Sequence, residues 1–310
     1  MLSSGKQIVL LVLVLLTGTG IWLGGFDISS GITSGVAKVS TPGSQASAYR
    51  HQRTVQYSIS IRNPTNSLFE GVELFAHAPV RLTSVQQCCE RLVTSHPYTL
   101  ESDHLGNQLM RFHIEKLAPY ASEIVSIRAD MRLAEEAQTG KGVSLPDYLG
   151  EERYVQVNDP VVRERAEALL VRGDPVASAK NVHEWVAKNV TDSGYNQSAR
   201  GALYALQNQR GDCTESMHLF MALSRASDVP SRGIAGYVYD RNAVLSPREY
   251  HNWAEFYDGD AWRIADPHRK VFMKNENHYI AMQIMTEDDP EGAGSAQYWV
   301  NTEGLEVRMN

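Results

Sequence analysis

Apolar and polar residues alternate along the first patterned stretch of the chain. Val55, Tyr57, Ile59 and Ile61 are each separated by a polar residue, the period-two signature of a strand with one buried face. Val72, Leu74, Ala76 and Ala78 repeat the pattern, as do Met110, Phe112 and Ile114, and then Val125, Ile127, Ala129 and Met131. Asn63-Pro64-Thr65-Asn66 supplies a turn after the first run, and Gly106-Asn107 a hairpin turn ahead of the third. Short strands divided by turns predict a small antiparallel β-sandwich over residues 49–133.

The period changes in the second half. Asp159-Pro160 and Asp174-Pro175 each place a capping carboxylate before a proline suited to the first helical position. Val162, Ala166, Leu169 and Leu170 follow the first cap on one helical stripe, and Val182, Trp185, Val186 and Val190 follow the second. A further helix is predicted from Asp212, with Leu219, Leu223 and Ala226 as its buried stripe and Val229-Pro230 at its end. Strands are predicted from Gly233 onward. Helices followed by strands indicate an α+β domain over residues 150–310.

The N-terminus follows neither pattern. Ile8 to Phe26 carries no charge, and Ile8 to Leu16 is wholly aliphatic. Residues 1–27 therefore read as a membrane anchor or a signal segment. Gly18-Thr19-Gly20 fits a cleavage site poorly, which favours the uncleaved anchor. Lys6 marks its cytoplasmic end, so the bulk of the chain is expected outside the cytoplasm, in the periplasm, or secreted if cleavage occurs. Residues 28–48, rich in Ser, Gly and Thr, cannot bury a core and read as a flexible linker.

With 310 residues and 43% apolar content, the chain is long enough for two folded units. A net charge of -7 argues against a nucleic-acid partner. Neither a metal nor a cofactor is expected. Cys88 and Cys89 lack a second pair, and a bond between neighbours on a trans peptide is strained, so free thiols or an intermolecular bridge are anticipated. His183 and His218 lie on helices without metal-ligand spacing, which leaves surface or packing roles. The acidic stretch Glu287, Asp288, Asp289 and Glu291 lacks the spacing of a calcium loop.

Cys213 has more informative surroundings. Gly211 permits a tight turn, and Asp212 with Glu215 three positions on forms a capping-box pattern. Cys213 then sits in the first turn of a helix, where the dipole and unpaired N–H groups favour a thiolate and offer donors for an oxyanion. A small core cysteine is the plainer reading. Downstream, His251-Asn252-Trp253-Ala254-Glu255-Phe256-Tyr257 and Ala261-Trp262-Arg263-Ile264-Ala265-Asp266 read as a hairpin around Asp258-Gly259-Asp260. Pairing Tyr257 near Ala261 brings His251 beside Asp266 or Pro267. Cysteine, histidine and carboxylate together make up a thiol catalytic triad. Trp253 shares the strand face of His251, where it either walls a cleft or packs in the core.

Gly211-Asp212-Cys213, the run from Ser224-Arg225-Ala226 through Val229-Pro230 to Gly236-Tyr237, His251 to Glu255, and Trp262 to Pro267 resemble the transglutaminase-like superfamily of papain-related thiol enzymes. The resemblance covers about Arg153 to Phe272. It implies a transglutaminase-like, papain-like α+β domain with Cys213 as nucleophile, His251 as general base and acid, and Asp266 as orienting carboxylate. Gln207, six residues before Cys213, echoes the papain-type glutamine that serves an oxyanion, or is an ordinary helix-end residue. The superfamily includes cross-linkers, peptidases, amidases and inactive domains. A protein or peptide substrate and a thiol-dependent hydrolase are therefore expected. The alternatives are a cross-linking acyltransferase and a non-catalytic, membrane-tethered assembly protein whose β-sandwich binds a protein partner.

Overall fold

The computed structural model of the chain describes residues 48–139, 145–196, 198–286 and 297–310. The predicted anchor, the linker up to residue 47 and the acidic stretch from Glu287 to Glu291 lie outside the described residues. Among the described residues no helix is long and apolar enough to cross a membrane.

The alternating runs form strands β1 (Tyr49–Arg62), β2 (Phe69–Ala78), β5 (Gln108–Leu117) and β6 (Ser122–Ala134). Between them lie β3 (Gln86–Thr94) and β4 (Tyr98–Ser102), which the sequence pattern missed. Two short strands follow, β7 (Thr191–Asp192) and β8 (Arg210–Gly211), then β9 (Ser231–Val238), β10 (Ala243–Val244), β11 (His251–Tyr257) and β12 (Trp262–Asp266). The remaining strands are β13 (Val271–Phe272), β14 (Tyr279–Ile284), β15 (Tyr298–Val300) and β16 (Glu306–Met309).

One sheet runs β10-β1-β6-β3 with β16 also on β1, and a second runs β15-β2-β5-β4. Their inner residues, Ile59, Ile61, Leu74, Phe112, Ile127 and Met131 among them, form one buried core. Residues 150–310, read above as one unit, thus contribute β10, β15 and β16 to the sandwich. The third sheet, β13-β12-β11-β9-β14, is joined to it by side-chain amides. Buried Gln86 donates to Val80 O and Ala281 O at 2.7 and 3.0 Å and accepts from Ala281 N–H at 3.0 Å. Asn107 accepts from Ile284 N–H at 2.7 Å and donates to Ile284 O at 2.9 Å. Removing such buried partners leaves backbone groups unsatisfied, so these contacts lock the third sheet against the sandwich.

Among the described residues, four α-helices cover the other face of the third sheet: α1 (Pro160–Leu169), α2 (Pro175–Asn189), α3 (Gly201–Asn208) and α4 (Cys213–Arg225). Asp159 and Asp174 cap the first two by accepting N–H bonds at 2.9 and 2.8 Å. Helix α4 is the central one. Met217, Phe220 and Leu223 pack with Ala254, Phe256 and Ala265 of the sheet in a second core.

Cys88 and Cys89 depart from the expectation of free thiols or an intermolecular bridge. They form a vicinal disulfide across a cis peptide bond in β3.

Candidate active site

The N-terminus of α4 is built as the sequence suggested. Asp212 accepts from Thr214 N–H at 2.8 Å, and Glu215 returns to the Asp212 N–H at 3.1 Å, completing a capping box. Gly211 has a different reason from the tight turn anticipated. A Cβ there would stand 2.4 Å from the Cβ of Glu215, so only glycine lets the carboxylate fold back over the cap. Arg200 then closes the cluster, donating to Glu215 at 3.1 Å. Burial raises the Glu215 pKa, but the Arg200 guanidinium and the N–H donors pull it below its ordinary value.

This cap presents Cys213 half-buried as the first helical residue. Its thiol is not the resting thiolate expected from the helix dipole. Burial pushes it up to about 11, with the charges of Asp212 and Asp266 acting in the same direction. The Asn252 N–H and the Thr214 hydroxyl lower it without prevailing. The capping box also takes the N–H groups of Thr214 and Glu215, which leaves that of Cys213 itself as the first-turn donor for an oxyanion.

Strand β11 meets this helix end. Asn252 turns its backbone N–H towards the Cys213 sulfur, which lowers the thiol's pKa, and its side chain donates to Thr214 Oγ1 at 2.9 Å. His251, the preceding residue, is buried, and its Nε2 lies 2.7 Å from Asp266 Oδ2. Burial raises the Asp266 pKa, but the His251 contact, Arg269 N–H and Tyr279 hydroxyl outweigh it, so the carboxyl lies below its ordinary value. An ionised carboxylate only accepts hydrogen bonds. Nε2 therefore carries the hydrogen, and Nδ1 is left as the basic nitrogen.

The hairpin register differs by one from the pairing anticipated, because Tyr257 faces Trp262 rather than Ala261. Extended along the strands, that register sets His251 opposite His268, with Asp266 as its diagonal neighbour on the same face. The two imidazoles lie 5.7 Å apart between centroids, and His268 Nε2 reaches Asp192 at 3.7 Å.

Other positions singled out from the sequence fall elsewhere. Trp253 is 1% exposed, in the core behind His251 rather than on a cleft wall, and stacks on that ring at 6.3 Å. Gln207 is exposed near the end of α3, and among the described residues no hydrogen bond joins it to Cys213 or His251. His183, given a surface or packing role above, is buried on α2, and its Nε2 donates to the Asp266 carbonyl at 3.2 Å. Neither it nor Asn252 carried any spacing signal, since both act through contacts between distant segments. Among the described residues no group of three His, Cys, Asp or Glu side chains is placed to hold a metal ion.

Residues 165–267, which hold Cys213, His251 and Asp266, match the model of the transglutaminase-like superfamily. The chain carries a transglutaminase-like domain. A solved structure from Cytophaga hutchinsonii, provisionally described as a cysteine protease, shares the fold with a TM-score of 0.55 at 19% identity, covering 84% of this chain and 92% of its own. The periplasmic domain of TgpA from Pseudomonas aeruginosa matches at 17% identity and TM-score 0.36, covering 74% of this chain and 92% of its own. Red sea bream transglutaminase matches at 13% identity and TM-score 0.32, covering 73% and 49%. No curated protein sequence matches the chain.

Proposed function

We propose that this protein is a cysteine-dependent hydrolase, a peptidase or amidase, acting outside the cytoplasm on amide bonds of proteins or peptides. The observation that carries this reading is the buried 2.7 Å contact between His251 Nε2 and Asp266 Oδ2, one residue from the backbone N–H that meets the Cys213 sulfur. A side-chain pair on an open surface has little reason to be buried and oriented beside a helix-capped thiol.

In this mechanism the thiol is neutral at rest. His251 Nδ1 takes the proton as the Cys213 sulfur attacks the carbonyl carbon, and the C–S bond forms while the carbonyl electrons move to oxygen. The Cys213 N–H faces that oxyanion. Collapse expels the amine, which takes its proton from His251, and leaves an acyl-Cys213. Water, deprotonated by His251, then attacks the acyl carbon, releasing the acid and restoring the thiol. Asp266 keeps the hydrogen on Nε2 and stabilises the imidazolium. Water is favoured as acceptor because it is abundant and the sequence announces no amine site. The uncharged Ile8–Phe26 segment behind Lys6 supports an extracytoplasmic location with an N-terminal tether.

The test has two arms. Alkylation of Cys213 is followed from pH 5 to 9 in the parent and in His251→Ala, where a large drop in rate is expected on losing the base. A thiol indifferent to His251 would leave only a scaffold. In the second arm, the protein is incubated with a glutamine-containing protein and a labelled amine. Incorporation of label that depends on Cys213 would overturn hydrolysis in favour of cross-linking.

A further inference from the structure

Asp266 Oδ2 holds two donors. Besides His251, the Tyr279 hydroxyl donates to it at 2.9 Å, while Arg269 N–H takes Oδ1 at 3.0 Å. The carboxylate is thereby held at both oxygens. Tyr279 opens β14, beyond the residues 165–267 matched to the superfamily.

Its ring is itself fixed. It is 2% exposed and meets Trp253 edge-on at 5.0 Å and 67°, and Trp253 stacks on His251 on the other side. Trp253 can lie there because β9 offers Gly236, where a Cβ would stand 2.9 Å from the indole and 2.1 Å from Ile280 O. Four side chains thus close a ring: His251 to Asp266, Asp266 to Tyr279, Tyr279 to Trp253, and Trp253 back to His251.

We propose that Tyr279 is a positioning residue for the triad, its hydroxyl holding the Asp266 carboxylate in the one orientation that meets His251 Nε2. The proposal rests on the thiol-hydrolase reading above and adds a fourth residue to it. A buried tyrosine needs an acceptor wherever it lies. What sets this one apart is that its acceptor is the oxygen orienting the base. Without the hydroxyl, Oδ2 has a single donor, so its charge concentrates on Nε2–H and the imidazolium becomes easier to form, while the carboxylate is freer to turn away.

Tyr279→Phe keeps the ring against Trp253 and removes only the hydroxyl. In the full-length protein its thermal midpoint should stay close to the parent's. Cys213 alkylation by iodoacetamide should slow about tenfold on its plateau, with its acid limb moved to higher pH. Tyr279→Gln, which restores a donor, should recover part of the rate. A Phe variant whose profile superimposes on the parent's, while His251→Ala changes it, sinks the positioning role and leaves the triad standing. If His251→Ala changes nothing, the triad falls and this inference with it. Should the Phe variant fail to fold, NMR of the parent decides. A slowly exchanging Tyr279 phenolic proton that shifts as His251 titrates supports the role, and one indifferent to that titration overturns it.

Discussion

His251 and Asp266 meet as diagonal neighbours across β11 and β12, Nε2 to Oδ2 at 2.7 Å. The register that pairs Tyr257 with Trp262 puts both on one face, whereas a slip by one residue would turn one strand's side chains to the other side. The contact fixes the imidazole tautomer. Asp266→Asn keeps the size but can present an amide N–H to Nε2, favouring the wrong tautomer. Turnover of an amide substrate is expected to fall by roughly three to four orders of magnitude, with little change in the thermal midpoint. A variant within tenfold of the parent would show that Asp266 does not orient the base.

Gly236 tests how tightly the third sheet is closed behind the site. Gly236→Ala would drive a Cβ into Ile280 O at 2.1 Å and the Trp253 ring at 2.9 Å. Relief requires moving backbone, so a destabilisation of about 2–3 kcal/mol is expected, read by urea unfolding. Cys213 alkylation should slow with it, because Trp253 backs His251. An unchanged unfolding midpoint would mean β9 and β14 separate without cost.

His218 links stability to pH. It is buried on α4, stacked on Tyr154 at 5.5 Å, and burial lowers its pKa from 6.5 to about 4. The unfolded chain binds the proton more readily, so stability rises with pH across this window and is lost as pH falls from 6.5 towards 4. His218→Phe keeps a ring on Tyr154 and removes the titration. Between pH 7 and pH 5 the parent should lose about 2 kcal/mol more than the variant. Parallel pH dependences in urea melts would exclude His218 as the titrating group. Half-buried His77, whose pKa desolvation also lowers to about 4, contributes to both proteins alike.

Gln86 joins the sandwich to β14 through two hydrogen bonds with Ala281, and its amide also donates to Val80 O. Gln86→Leu fills similar space but leaves Val80 O and Ala281 N–H without that partner. A loss of roughly 2–4 kcal/mol is expected, together with faster amide exchange at Ala281. If only the strands of the sandwich lose protection, the amide does not hold the third sheet.

Much of the architecture could be read along the chain. Strands β1, β2, β5 and β6 announced themselves because one face of each meets the sandwich core and the other meets solvent, and burial on one face is what alternation reports. Helices α1, α2 and α4 were legible from their caps and stripes. Strand β14 fell among the strands expected after Gly233 but was not delimited, since all of its residues are buried and no period survives. Strand β4 was missed for the opposite reason, having no fully buried residue, and β3 because it is largely polar and its pairing shifts between Gln87 and Arg91.

The same division runs through the site. Cys213 on its capped helix, and His251 and Asp266 on one hairpin, were identifiable from sequence because caps, turns and strand pairing act over a few neighbouring residues. Tertiary structure alone decided the register that turns His251 and Asp266 to one face. It also brought in His183, Asn252 and Tyr279 from other elements and raised the Cys213 thiol to about 11. Those outcomes depend on what lies across the sheet and how much water is excluded. Neither is encoded by nearest neighbours, because burial and cross-strand contact are properties of the packed chain.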